Sequence, residues 1–159
     1  MASNGDLSLL NDPVAQTLLT STNMAQLGYV WTDGTPRVVP IWFHWDGKAI
    51  CMGTPMKAPK VHILPNHSKV AITIDSETWP YKVLSIRGTA SVSTVDGVVP
   101  EYALAAKRYF GEQGGTDWIN QIKGMFTQMT RIAVTPEWVG ILDFEKRFPS
   151  AIAAAMAGA

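Results

Sequence analysis

The stretch MAQLGYVWTDGTPRVVPIWFHWDGKAICMG, residues 24–53, decides the fold. Two Asp-Gly pairs, Asp33-Gly34 and Asp46-Gly47, each separate runs of apolar and β-branched residues. Asp-Gly suits a tight hairpin turn, because glycine tolerates positive φ and the aspartate side chain caps the turn's own backbone. The stretch therefore predicts three antiparallel strands in a meander: Met24–Trp31, Val38–Trp45 and Ala49–Gly53. In the middle strand, period two puts Val39, Ile41, Phe43 and Trp45 on one face and Val38, Pro40, Trp42 and His44 on the other. One face should fill a core. The other should meet a helix, a partner chain or a ligand, and Pro40 marks an edge or bulge.

Working outward, Asp12-Pro13 is a helix start, with Asp12 as N-cap and Pro13 at the first helical position. After the meander, GTPMKAPK (residues 53–60) breaks the strand pattern, and Pro59 opens a short helix through Leu64. Lys69–Asp75 and Val83–Thr94 read as a fourth and a long fifth strand. Val99–Phe110 and Asp117–Met129 carry apolar residues at helical spacing, the second through Trp118, Ile122, Met125 and Met129. Ile132–Val134 and Trp138–Phe144 close the chain as two strands interrupted at Pro136. The apolar tail AIAAAMAGA reads as a frayed or helical end. The sum is a mainly β chain: an antiparallel barrel with helices at its ends, in one domain of 159 residues with its core at about 10–149.

Composition narrows the function. Lys+Arg and Asp+Glu each number 13, so the formal charge is zero and a sequence-blind nucleic-acid binder is disfavoured. No run approaches the roughly 20 apolar residues of a membrane span. The start MASNGDLSLL does not read as a signal peptide. The lone Cys51 allows no internal disulfide, which with the missing leader points to a cytoplasmic setting. The three histidines lack zinc-ligand spacing, His62 and His67 being five apart, so no metal site is expected. In GTPMKAPK, Thr54, Lys57 and Lys60 sit at a strand-to-helix passage, where a hydroxyl, two ammonium groups and free backbone N–H groups suit a phosphate. A solvated lysine loop is the competing reading.

Taken together, MAQLGYVWTDGTPRVVPIWFHWDG, GTPMKAPKVHILPNHSKVAITID, WPYKVLSIRGTASV and RIAVTPEWVGILDFEKRFP resemble the pyridoxamine 5′-phosphate oxidase-like split β-barrel superfamily. The likeness runs from about Leu10 to Pro149 and is nearest to its flavin/deazaflavin oxidoreductases of the B type. The resemblance implies a homodimer whose pocket lies between subunits. That pocket would hold FMN, the deazaflavin coenzyme F-420, or occasionally a tetrapyrrole-like ligand. It sets Thr54 on the family's third-strand threonine and Lys60 on the lysine that opens the short helix and meets the cofactor phosphate, with Lys57 nearby. It places Val39, Pro40, Ile41 and Trp42 on the strand whose backbone meets the ring, and Trp79 and Tyr81 on the facing side of the pocket.

Some positions depart from the family pattern. Pro59 stands where FMN-binding members often carry arginine, Ala58 stands where some deazaflavin binders do, and the arginine-rich substrate motifs of true pyridoxamine-phosphate oxidases are reduced to Arg147-Phe148-Pro149. The reduced motif speaks against pyridoxamine phosphate as substrate, and the pair Lys57 and Lys60 without a neighbouring arginine favours F-420-dependent hydride transfer, with the acidic tail of that coenzyme met by Lys57, Lys60, Lys69 and Arg37 or Lys82. The alternatives are an FMN-binding oxidoreductase or flavin carrier, and a protein that sequesters a cofactor without turnover. A proton donor, where one is needed, is Tyr81, His44 or water.

Overall fold

Each Asp-Gly pair forms its hairpin. In the computed structural model, which describes residues 2–159, Gly34 and Gly47 take φ of 83° and 94°. The Asp33 carboxylate accepts from the Thr35 N–H, and that of Asp46 from the Lys48 and Ala49 N–H groups. The hairpins join β1 (Ala25–Val30) to β2 (Pro36–Ile41), and β3 (His44–Trp45) to β4 (Ile50–Pro55). The expected middle strand is thus two strands, parted at Trp42-Phe43. The remaining elements are α1 (Pro13–Leu19), α2 (Pro59–Ile63), β5 (Lys69–Asp75), β6 (Lys82–Asp96), α3 (Pro100–Met125), β7 (Gln128–Asp143) and α4 (Ser150–Ala157).

The break at Trp42-Phe43 corrects the expected meander. All seven strands form one antiparallel sheet in the order β2-β1-β5-β6-β7-β4-β3, so the two hairpins lie at opposite edges. The two residues after β2 carry the chain from one edge to the other. This rolls the sheet into a split barrel and buries Phe43 completely in its centre. Period two holds across the break. Val39, Ile41 and Trp45 pack on the core with Phe43, while Val38 and Pro40 stay exposed. The core gathers Leu27, Ile50, Met52, Ile72, Ile74, Leu84, Ile86, Ile132 and Ile141 from five strands, plugged by Leu18 and Leu19 of α1 and by Ile63 and Leu64 at the end of α2.

Two further expectations change. The two expected helices meet within α3 at Gly111, whose φ of 79° and ψ of 168° turn the axis sharply. Met129 leaves the helix for β7. It still packs with Val99 and Ile122 of α3, which is why its spacing looks helical. The expected gap at Pro136 is a bulge inside one continuous strand: Gly88 pairs with Pro136 and Arg87 with Trp138, leaving Glu137 as the extra residue. A proline costs no ladder bond at such a position. α4 is helical, and every one of its residues is exposed. Among the described residues, no helix is long and apolar enough to cross a membrane.

The bulge depends on Gly88 lacking a side chain, since a Cβ there would lie 2.1 Å from the Thr135 carbonyl oxygen. Gly88→Ala should destabilise the protein by roughly 1–3 kcal/mol or more through overpacking. Gly124→Ala, where a Cβ meets open space, should leave stability unchanged or raise it by up to about 1 kcal/mol. Urea unfolding of the two variants checks the contrast.

Candidate functional site

Thr54, the last residue but one of β4, lies on the same face as Ile50 and Met52, so its side chain turns toward the barrel interior and is only 4% exposed. Its cross-strand neighbour Thr130 is equally buried and lies 3.2 Å from the Met56 sulfur. The chain then exposes Lys57 and enters α2. Ala58 supplies no side-chain cap, and the helix has five residues, so its dipole adds little to anion binding. The charge is what remains. Lys60 is half-buried, burial pushes its ammonium pKa down, and it forms no ion pair among the described residues. A dehydrated cation without a counter-charge costs free energy, and an arriving anion returns that cost.

Val39 to Trp42 are divided in their surroundings. Val39 and Ile41 lean on the core, and Pro40 is exposed on β2, the edge strand. The Trp42 indole stacks on Tyr109 at 5.0 Å and 12° and meets Tyr102, Phe110 and Trp118. The outer face expected for a helix, partner or ligand is therefore taken by a helix at Trp42. α3 is pinned there by Arg108, which donates to the Ser21 and Phe43 carbonyls, and by Tyr109, which donates to the Asn23 carbonyl.

Trp79 and Tyr81 project from the β5–β6 loop, 67% and 44% exposed. They form an aromatic ledge with Phe144 and Phe148. This ledge lies at the Lys82 end of β6, whereas Thr54 is aligned, through Thr130, with Thr94 near the other end. The strand path between the two is on the order of 40 Å. Trp79 and Tyr81 thus flank one end of β6, and the strand that leads to Lys60 aligns near the other. Two of the protomer's cavities, of about 480 and 390 Å³, are lined by none of the nine residues singled out from the sequence. The rim cations are divided as well. Lys69 is held by Glu137 at 2.8 Å, Lys82 by Glu145 at 3.1 Å, and Arg37 lies over the Trp31 ring.

The sequence did not reveal a charged cluster under the first half of α3. Arg131 of β7 donates to Glu101 through Nε at 2.8 Å and Nη2 at 2.6 Å, and Nη2 stands 3.1 Å from the Cys51 sulfur. Asp46 lies 3.9 Å from the same nitrogen and 3.5 Å from that sulfur. Asp46, Cys51 and Glu101 offer ligand atoms within 4.8 Å of one another, but the guanidinium already stands where a cation would. Burial pushes the Cys51 thiol up to about 12. Arg131's hydrogen bonds hold Glu101 below its ordinary range, although Glu101 Oε2 is buried without a partner. His44, opposite Cys51, is shifted down by burial and by the charge of Arg108, so it is neutral at pH 7. These groups order α3 against the sheet and offer no nucleophile.

The family profile of pyridoxamine 5′-phosphate oxidase matches residues 12–143. No curated protein matches the chain. Similar solved structures include an F420 reductase, at 24% identity over 79% of this chain and 94% of the other, with TM-score 0.59. They also include the heme storage protein HutZ from Vibrio cholerae, at 19% over 83% and 93%, with TM-score 0.61. A third is a pyridoxamine 5′-phosphate oxidase homologue from Listeria innocua, at 21% over 80% and 94%, with TM-score 0.56. At these identities the likeness is one of fold.

The Arg131–Glu101 pair predicts an acid sensitivity. Glu101's folded pKa is depressed below its ordinary 4.5. Its contribution is therefore complete above the unfolded value and lost as pH falls through the folded one. Glu101→Gln should be less stable than the parent at pH 7, and the gap in urea midpoint should shrink as pH drops below about 4.

Proposed function

The chain belongs to the pyridoxamine 5′-phosphate oxidase family, and from that premise we propose that it is a flavin- or deazaflavin-dependent oxidoreductase, with coenzyme F-420 as its favoured cofactor, working as a homodimer. The observation that carries the reading is Lys60: a half-buried ammonium whose pKa burial lowers, with no ion pair among the described residues. That is a counter-charge waiting for a phosphate, and exposed Lys57 precedes it by one helical turn's reach. When bound, the ring system supplies hydride transfer, and the protein supplies position and exclusion of water.

Lys60 holds the phosphate as a point charge. The exposed edge at Pro40 gives a flat ring access to the β2 backbone. The exposed ledge of Trp79 and Tyr81 fits the facing wall contributed by a second copy, since an apolar surface of this kind favours burial. Of the candidates Tyr81, His44 and water, exposed Tyr81 is favoured over His44, whose pKa burial and the charge of Arg108 lower. The preference for F-420 over FMN rests on Pro59, which leaves no arginine beside Lys60 to fork a terminal dianion, and on the pair Lys57 and Lys60. Lys57 and Arg37 form no salt bridge among the described residues, and both suit an extended acidic tail. The fold shared with a heme storage protein keeps a second reading in view, in which the pocket holds a planar ligand without turnover.

Fluorescence titration with F-420 and with FMN tests the proposal. Lys60→Ala should weaken binding by about ten- to a hundredfold, the equivalent of roughly 1.5–3 kcal/mol, and Lys57→Ala by less. The ligand-free Lys60→Met variant should melt no lower than the parent, because it removes a dehydrated charge. Unchanged affinity in Lys60→Ala would remove the lysine from the site. Tighter binding of FMN than of F-420 at low ionic strength would transfer the assignment to FMN. A species that sediments as a monomer at micromolar concentration would end the shared-pocket reading.

A further inference from the structure

One row of residues crosses the outer face of the sheet: Val38, Gly28, Ala71, Arg87 and Trp138 are paired in succession from β2 to β7. Gly28 and Ala71 have almost no side chain, so the row forms a trough, a cavity of about 390 Å³ with these two on its floor. Val38, 66% exposed, is one wall, and Arg87, stacked over the Trp138 ring at 4.0 Å, is the other. Three strand spacings, roughly 14 Å, separate the walls. Arg37, Lys69 and Arg87 line the trough against one carboxylate, Glu137, which Lys69 and Thr89 already engage. Arg87 forms no ion pair among the described residues.

The same chain carries a convex element without a seat. α4, SAIAAAMA, has no charged residue, and every one of its residues is exposed. A helix apolar almost all round belongs in a groove, and eight residues alone hold a helix poorly in water. A lipid surface would call for a basic face on the helix, and α4 has none. Ile152 and Met156, one turn apart, form a ridge on a slim body of alanines. Such a helix is about 12 Å long and no more than about 10 Å across, so it passes between the trough's walls. Its last turn holds no basic residue, which leaves the partial negative charge of its carbonyl end for a cation such as Arg87 to meet. Phe148, just before α4, packs on Phe144 of the aromatic ledge, so the ridge continues the exposed surface of Trp79 and Tyr81.

We infer that α4 of one protomer lies in the trough of a second copy, with Ile152 and Met156 over Gly28 and Ala71 and its carbonyl end toward Arg87. A two-fold axis repeats the contact, each chain giving one helix and receiving one. The doubled contact, extended by the ledges, is what brings the interface toward the 800 Å² or so that a stable dimer buries per partner. The inference rests on the homodimer of the proposed function and names its contact, and it is independent of which cofactor binds.

Crosslinking in trans tests it. Ala71→Cys protein is mixed with Met156→Cys protein and treated with a short bismaleimide. The mixture should give a covalent dimer, and either variant alone far less, because Cys51 is buried and its thiol is pushed up to about 12. In sedimentation equilibrium, Ala71→Trp, which fills the trough from an exposed position, should raise the dimer dissociation constant at least tenfold. The double variant Ile152→Asp, Met156→Asp, also at exposed positions, should do the same. No crosslink in the mixture, or a dimer as tight as the parent's in either sedimentation variant, would overturn the inference and leave the homodimer standing. A parent protein that is itself monomeric at micromolar concentration would overturn both.

Discussion

One stretch of chain, Pro36 to Trp45, belongs to both edges of the sheet. Its first part pairs with β1 and its last two residues with β4, at opposite ends of the strand order. A seven-stranded sheet with free edges would be a template for aggregation. Sharing one segment between the edges closes most of that opening, and the prolines at positions 36 and 40 blunt the rest. Phe43, at the crossing, is wholly buried, and its carbonyl is taken by Arg108. The placement of α3, the stacking of Trp42 and the exposure of the outer β2 edge all follow from that crossing.

The geometry of the crossing also decides how chemistry is distributed. Turning inward, β4 carries Thr54 into the barrel and delivers the two lysines at its rim. Turning outward, the same strand presents Cys51 and Gly53 to α3, where a Cβ on Gly53 would meet Tyr102 at 2.7 Å. The charged group of Arg131, Glu101 and Asp46 occupies this outer layer as a clamp between helix and sheet. The barrel thus separates a structural electrostatic cluster on one side of β4 from Lys60 beyond its end, a lysine without an ion pair among the described residues.

How much of this was legible depended on whether the signal was local. The hairpins were, because an Asp-Gly pair encodes its turn in two adjacent residues. The break at Trp42-Phe43 was not, because neither residue is a glycine or proline and the two-residue alternation runs through it undisturbed. The bulge at Pro136 read as an interruption because the compensating Gly88 lies on another strand. Met129 imitated a helical position because its neighbours in space are helical. At the site, Lys60 was readable as a cation in a helix-opening turn, but its want of a partner is a tertiary fact. Arg131 and Glu101 are thirty residues apart on different elements, and nothing local marks them as a pair. The distance between the Trp79 ledge and Lys60 depends on the path of β6, which only the sheet register defines.

That register has a mechanical side. β6 and β7 pair from Lys82↔Asp143 to Asp96↔Gln128 with one offset along the way, so they act as a two-ply beam running the length of the molecule. The bulge at Gly88 and Pro136, near the middle of that ladder, is where the two strands bend together, and on either side of it each holds the other in register. The segments outside the ladder, the β5–β6 loop at one end and the passage from β4 into α2 near the other, lack its cross-strand hydrogen bonds, and local opening is least opposed there.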